Sequence, residues 1–351
     1  MNNNINLFYD TIVKKQLWIE FGRMKAKKNK KVLIIKLGAT GDVIHSTMLA
    51  QSIKKADPNC IVHFMTSDFI TPLLKNNPDI DKVIWFTGHR RNDYPYLIFK
   101  GLSLAFERYD MVFPLSNSIR NYIMMTFMFP KKIFKRSKKR IHAVDMFYNT
   151  AVEAFGEIEK PKNLRIFIRE DLKEELKDRY KDLPRPWIIF NVGGANDLDR
   201  QGRIWPDEHW QELGQKLKEQ YGGTIFVCGS EKEIELHEKF KNIATVLTGK
   251  LTLEESSALY AVSDLFISGD SGPLHIASGL NINVIGIMGS MPKEVVRPYC
   301  EKGYVVEPKI ECSGCQQKTC KLLKEGEKFT PCMQSIQVCD ILNLIAEKNL
   351  L

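Results

Sequence analysis

At 351 residues, with 44% hydrophobic and 26% charged residues, the chain has an ordinary globular composition and room for two cores. No apolar run approaches the roughly 20 residues of a membrane-spanning helix, and the asparagine-rich start lacks a signal-peptide core, so the expected compartment is the cytoplasm. The net charge of +9 is concentrated in Arg23–Lys31, with six basic residues, and Lys131–Arg140, with seven; such runs suit a polyanion or an anionic membrane face as well as a solvated surface.

In chain order, residues 1–30 carry a rough helical apolar face (Phe8, Ile12, Leu17, Trp18 and Phe21) that ends in the first basic run. From Lys31 the pattern is a repeating strand and helix. KVLIIKL (Lys31–Leu37) reads as a buried strand, the turn GATG follows, and a helix runs from about Asp42 to Lys55. Ile61–Met65, Lys82–Phe86 and Met111–Leu115 read as strands and Ile70–Lys75 as a short helix. The charged, proline-bearing segment Lys160–Arg185 reads as a domain junction or a solvent-facing helix beside one. The pattern restarts with the strand WIIFNV (Trp187–Val192), a helix over Asp207–Tyr221 opened by Pro206, and the strand TIFVCG. Helices over Glu231–Phe240 and Leu253–Val262, a strand at Leu265–Ser268, a further turn and helix, and the strand NVIGIMG complete it. Alternation of this kind predicts parallel sheets covered by helices on both faces. Two such units joined in the middle imply a cleft, with ligands beyond the carboxyl ends of the strands.

Three stretches at those strand ends can carry chemistry. In Gly38–Ala39–Thr40–Gly41–Asp42 the glycines permit close backbone approach. The spacing is neither the dinucleotide fingerprint nor a P-loop. Asp42 is then either a first-turn carboxylate favoured by the helix dipole or a general base facing a substrate hydroxyl. In GDSGPLHIASG (Gly269–Gly279) the N–H groups of Ser271 and Gly272 could receive a diphosphate. Asp270 could occupy the anion position itself, and His275 could add a donor. In the third stretch Gly193 and Gly194 follow a strand and could form an N–H nest. Arg203, just ahead of Trp205–Pro206, supplies a cation suited to a diphosphate leaving group.

Together these stretches carry a resemblance. KVLIIKLGATGDVIHSTML (Lys31–Leu49), RIWPDEHW, FVCGSEKE and SGDSGPLHIASGLNINVIGIMG, in this order over most of residues 31–300, are similar to the ADP-heptose glycosyltransferases of glycosyltransferase family 9. The resemblance implies an α/β GT-B fold, two Rossmann-like domains with parallel sheets facing across a cleft. It places an acceptor-binding domain in 31–160 and a nucleotide-sugar donor domain in 161–330, with a C-terminal helix in 331–351 crossing back to the first domain. It implies inverting transfer of heptose from ADP-heptose to a lipopolysaccharide inner-core hydroxyl, without a catalytic metal and with peripheral contact at the inner membrane face.

Residue by residue, the resemblance makes Asp42 the general base, with Thr40, Gly41, Arg120 and His142 toward the acceptor. Gly193, Gly194, Arg203, Asp270, Ser271, Gly272 and His275 fall toward the donor, with Glu231 or Glu233 as the acidic contact to the nucleoside. Arg203 departs from the family's lysine at that position, replacing a point charge by a planar fork.

Eight cysteines complete the picture. Cys60 and Cys228 lie in predicted strands and read as small core hydrophobes. Cys312-x2-Cys315-x4-Cys320-x11-Cys332 has the look of four thiolate ligands for structural zinc or iron. The resemblance attaches such a cluster to enzymes that heptosylate autotransporter proteins, so a protein serine is the alternative acceptor. A nucleic-acid-binding module, built on the basic runs and a zinc-ribbon-like end, would leave the ordered phosphate loops unexplained; nucleic acid is not an expected partner.

Overall fold

The computed structural model describes residues 29–87, 93–116, 118–136, 141–193, 202–317 and 319–351. The expected N-terminal helix, Gly194 and the end of the second basic run (137–140) lie outside the described residues.

The first unit is a five-stranded sheet of β1 (Lys31–Ile35), β2 (Ile61–Ser67), β3 (Lys82–Phe86), β4 (Met111–Pro114) and β5 (Lys132–Ile133). Its order is β3-β2-β1-β4-β5 and every pairing is parallel. Successive β1 side chains point to opposite faces, and both faces are covered, which is why the strand reads as one unbroken apolar run. Val32 and Ile34 pack under α1 (Thr40–Ala56) and, beyond α2 and α3, α4 (Ala143–Phe155). Leu33 and Ile35 pack under α2 (Tyr94–Ala105) and α3 (Ile119–Met128).

The second unit is a six-stranded parallel sheet ordered β11-β10-β9-β6-β7-β8. Its strands are β6 (Trp187–Asn191), β7 (Thr224–Val227), β8 (Thr245–Val246), β9 (Leu265–Gly269), β10 (Asn283–Ile287) and β11 (Gly303–Val306). One face is covered by α5 (Glu170–Arg179) and, after α6, by α7 (Leu253–Ala261) and α8 (Gly272–Ser278). The other is covered by α6 (Asp207–Tyr221) and α9 (Val338–Lys348). Both sheets therefore have the doubly wound order, with switch points between β1 and β4 and between β6 and β9, where loops diverge and leave a crevice. The charged segment 160–185 contains α5, which buries only Leu172 and Leu176 and shows its remaining face to solvent.

The two units share a core. Ile44 and Met48 of α1 and Val144 of α4 join the same apolar cluster as Leu274 and Ile276 of α8, so the crevice has a packed floor.

The predicted helix over Glu231–Phe240 is helical along its whole span, as a 3-10 turn (Glu231–Glu233), an α turn (Ile234–His237) and a second 3-10 turn (Glu238–Phe240). One expectation is corrected. The C-terminal helix does not return to the first unit. Val338, Ile341 and Ile345 of α9, an i, i+3, i+7 stripe, enter the second unit's core beside Leu213 and Leu217 of α6. Trp205 Nε1 donates to the Ile336 carbonyl at 2.9 Å and Asn283 Nδ2 to that of Leu350 at 3.1 Å, fixing both ends of the segment.

Candidate active site

β1 ends at Ile35, and its parallel ladder continues one step as Lys36 N–H donates to the Met65 carbonyl at 3.0 Å. Ala39 then takes φ 57° and ψ 101°, which swings the chain into α1 without a side-chain cap. In the first turn of α1, Asp42 stands at the crevice mouth with its side chain 44% exposed. Its Oδ2 accepts from Lys36 Nζ at 2.7 Å, and the Lys36 side chain is only 8% exposed. The ammonium occupies one carboxylate oxygen from the protein side and leaves the other available to solvent.

The donor-side loop meets this turn directly. A Cβ on Gly41 would lie 2.5 Å from His275 Cδ2, and one on Gly272 would lie 3.0 Å from Thr40 Cβ. At these two positions glycine is required by close approach across the seam between units, not by backbone conformation.

Beneath the contact is a buried polar row. His275 Nε2 lies 3.5 Å from Asp270 Oδ1, and His275 Nδ1 lies 3.0 Å from His45 Nε2. One of the two facing ring nitrogens, His275 Nδ1 or His45 Nε2, carries the proton of this histidine–histidine hydrogen bond. His45 Nδ1 has no hydrogen-bond partner among the described residues. Burial, then the neighbouring His275, His142 and Lys36, push His45 well below the ordinary histidine range, so it is neutral.

On its other side Asp270, 5% exposed, meets Arg203: Nη2 is 2.9 Å from Oδ2, an ion-pair contact out of line for a hydrogen bond, and Nη1 donates to the Asp270 carbonyl at 3.4 Å. The Arg203 backbone is seated by Ser290 N–H, which donates to the Gly202 carbonyl at 2.9 Å.

Ser271 caps α8 by accepting from Leu274 N–H at 3.3 Å. Its hydroxyl also belongs to a network at the β6–β9 switch point, where Ser268 Oγ and Ser271 Oγ each donate to Asn191 Oδ1 at 3.1 Å. Asn191 and Ser268 are register partners. Gly193 takes φ 91°, and its carbonyl accepts from His237 Nε2 at 3.3 Å.

Of the two acidic candidates, Glu233 is engaged locally: its Oε2 accepts from Ser230 N at 2.6 Å and Ser230 Oγ at 2.8 Å as a capping box. Glu231 is exposed and makes no such cap. Arg120 stands in the first turn of α3, at the same sheet edge as Asp42, with its N–H bonded to Ser118 Oγ. His142 is in the seam, 3% exposed, rather than on a surface. It caps α4 through Nδ1, and its Nε2 donates to the Arg297 carbonyl of the second unit at 3.1 Å.

The four C-terminal cysteines differ in setting. Cys332 is buried, its Sγ 3.1 Å from Thr330 Oγ1, Cys315 is exposed, and Cys312 and Cys320 lie between these extremes. Among the described residues no group of three or more His, Cys, Asp or Glu is arranged to hold a metal ion.

Sequence reading passes over Lys36, His45, Asn191 and Ser268. Two carried a signal: Lys36 is a cation closing an apolar strand, and His45 lies one turn after Asp42 on α1. Asn191 and Ser268 meet only through sheet register.

Residues 123–325 match glycosyltransferase family 9 (heptosyltransferase). Lipooligosaccharide heptosyltransferase 2 of Haemophilus influenzae is 27% identical over 310 residues, covering 78% of this chain and 88% of that protein. A glycosyl transferase family 9 structure from Veillonella parvula superposes with a TM-score of 0.77 at 22% identity, covering 92% of this chain and 97% of its own. The E. coli ADP-heptose LPS heptosyltransferase II structure gives 0.70 at 20% identity, covering 91% and 99%.

Proposed function

The chain belongs to glycosyltransferase family 9 and transfers heptose, and from that premise we propose that it takes heptose from ADP-heptose and joins it, with inversion, to a hydroxyl of the lipopolysaccharide inner core. The observation that carries this reading is the contact of the Thr40–Gly41–Asp42 turn with the Ser271–Gly272 loop across the seam. A carboxylate open to the crevice and a candidate diphosphate loop are then neighbours.

In this reading the free oxygen of Asp42 takes the proton of the acceptor hydroxyl as that oxygen attacks the anomeric carbon. The carbon–oxygen bond to the diphosphate breaks on the opposite face, and ADP leaves with the electron pair through an oxocarbenium-like transition state, as in other glycosyl transfers. Lys36 holds one Asp42 oxygen and so aims the other into the crevice. Arg203 meets the charge growing on the leaving diphosphate, so the step as written needs no metal ion. Glu231 rather than Glu233 is the nucleoside contact, since Glu233 is occupied by its cap. Gly193 and the Asp270–Gly272 loop line the donor side, with Arg120 and Thr40 toward the acceptor. The glycan acceptor rests on the lipooligosaccharide heptosyltransferase relatives; a protein serine is the second acceptor, suggested by the cysteine quartet of residues 312–332.

Asp42→Asn tests the reading. It should lower transfer by roughly 10²–10⁴-fold, followed by mass spectrometry of a core-lipid acceptor, while calorimetric ADP binding stays near the parent value. Comparable turnover in the variant removes Asp42 from the chemistry. Mass gained on an autotransporter passenger and not on the core lipid overturns the acceptor.

A further inference from the structure

The turns that leave β6, β7 and β8 at the carboxyl edge of the second sheet meet on one side chain that the transfer step does not use. His237 closes the short α turn Ile234–His237 and is 1% exposed. Its Nε2 lies 3.3 Å from the Gly193 carbonyl oxygen, just beyond β6, and its Nδ1 lies 2.8 Å from Thr248 Oγ1, just beyond β8. The turn after β7 is pressed against the same ring: a Cβ on Gly229 would lie 2.8 Å from His237 Cε1 and 3.0 Å from Nδ1.

Chemistry fixes the direction of both hydrogen bonds. A carbonyl only accepts, so Nε2 carries the proton given to Gly193. Burial holds His237 below the ordinary histidine range. The ring is therefore neutral, and Nδ1 accepts from the Thr248 hydroxyl, itself buried. The register of β6 with β9 ends at Asn191. The Gly193 carbonyl, on a residue with φ 91°, thus takes its donor from this side chain.

His237 also belongs to the segment that begins with Glu231. A Cβ on Gly249 would lie 3.3 Å from Glu231 Cα and 2.8 Å from Ile234 Cδ1, and Gly249 N–H donates to the Gly229 carbonyl at 3.0 Å. Residues 231–237 therefore rest on the turns after β7 and β8, and the histidine pins them to the turn after β6. An apolar side chain of similar size would fill the space and leave the Gly193 carbonyl unheld.

Ligands of open α/β sheets lie beyond this edge. On the donor reading proposed above, we infer that His237 is a positioning residue for the nucleotide-sugar: it holds the Gly193 turn and the Glu231 turn at one fixed spacing, so that ADP-heptose meets both without first ordering them. Order already present in the free protein need not be supplied on binding, and its loss is read as weaker affinity. Asp42, on α1 of the other unit, lies outside this network, so the chemical step is spared.

Two substitutions divide the functions of the ring. Glutamine places an amide N–H where Nε2 stands and can serve Gly193, whereas asparagine places its oxygen where Nδ1 stands and can serve only Thr248. In calorimetry His237→Asn should weaken ADP binding about tenfold, and His237→Gln by no more than about threefold. In transfer kinetics the asparagine variant should raise KM for ADP-heptose by the same factor, with kcat within about twofold of the parent. Thr248→Val, which removes the donor to Nδ1, should weaken ADP binding about threefold. Leu217→Ala, in the core under α6, should lower the melting temperature and keep the parent's ADP affinity. Parent affinity in His237→Asn or in Thr248→Val overturns the inference. So does equal loss in the two variants at 237, or a loss in Leu217→Ala as great as that in His237→Asn. A parent that does not bind ADP overturns the donor reading and this inference with it; a parent that binds ADP no better than its asparagine variant overturns this inference alone.

Discussion

Gly41→Ala separates local helix preference from the demands of the seam. Gly41 is the second residue of α1. By propensity alone, alanine there should stabilise the helix by up to about 1 kcal/mol. The added methyl, however, would sit 2.5 Å from His275 Cδ2, 3.3 Å from Nε2 and 3.4 Å from Cγ. The imidazole cannot swing clear, since it is 5% exposed and held between His45 and Asp270. The clash is relieved only by moving α1 away from α8, and overpacking of this kind costs about 1–3 kcal/mol. The net expectation is a loss of about 1–2 kcal/mol in urea denaturation, as a lower midpoint at unchanged slope. Transfer should fall as well, by up to about 10²-fold, because the same movement displaces Asp42 from the donor loop. In a His275→Ala background the obstacle is gone and the sign should invert, with Gly41→Ala neutral or stabilising and a coupling of at least about 1 kcal/mol. Equal cost in both backgrounds, or none in either, would show that the two elements do not meet as described.

Burial holds His142 down at about 4, against the hydrogen bond to the Arg297 carbonyl, which acts to raise it. The unfolded chain takes up this proton near pH 6.5 and the folded one does not, so stability is complete above pH 6.5 and lost as the pH falls toward 4, by about 3 kcal/mol at most. His142→Asn keeps a cap acceptor and should make that slope shallower in denaturation at stepped pH, the rest coming from the other buried histidines, His45, His63 and His237; a parent-like slope would contradict the assignment. Trp205→Ala should cost about 3–5 kcal/mol and expose the 331–351 segment to limited proteolysis, because it removes a wholly buried ring and the donor to Ile336; resistance equal to the parent would refute that anchoring.

The strands were legible because burial on both faces removes polar alternation. VLII within KVLIIKL and WIIF within WIIFNV are unbroken apolar runs for the same physical reason. Two helices of the first unit are the instructive failure, whereas α1 was legible. Tyr94–Phe106 and Ile119–Phe129 are apolar inward and outward, so little polar patterning marks them as helices. β5 was masked by its basic run, having two residues that are both exposed. At the site, glycine, aspartate and serine mark the turns whose backbones must approach something closely. What they approach is set by sheet register and by the seam, which pair Asn191 with Ser268 and His45 with His275 across 230 residues. Cysteine spacing fixes distance along the chain and leaves burial free: the four thiols range from buried to exposed.

The place of Asp270 was ambiguous in sequence, since a carboxylate at a phosphate loop could occupy the anion position itself. Its surroundings argue for another role. Its oxygens face inward, one to Arg203 and one to His275, and it is 5% exposed, so it is not presented to the crevice as a substitute anion. A buried carboxylate needs compensation: the guanidinium supplies the opposite charge, and the imidazole stands against the other oxygen. His275 Nδ1 in turn shares a hydrogen bond with His45 Nε2 of the other unit. The row Arg203–Asp270–His275–His45 therefore ties the orientation of the arginine assigned to the diphosphate to the helix that carries Asp42. Loss of any member should misplace both, and the order in which the residues stand explains why the donor loop and the base turn are held by one buried chain rather than by two independent sites.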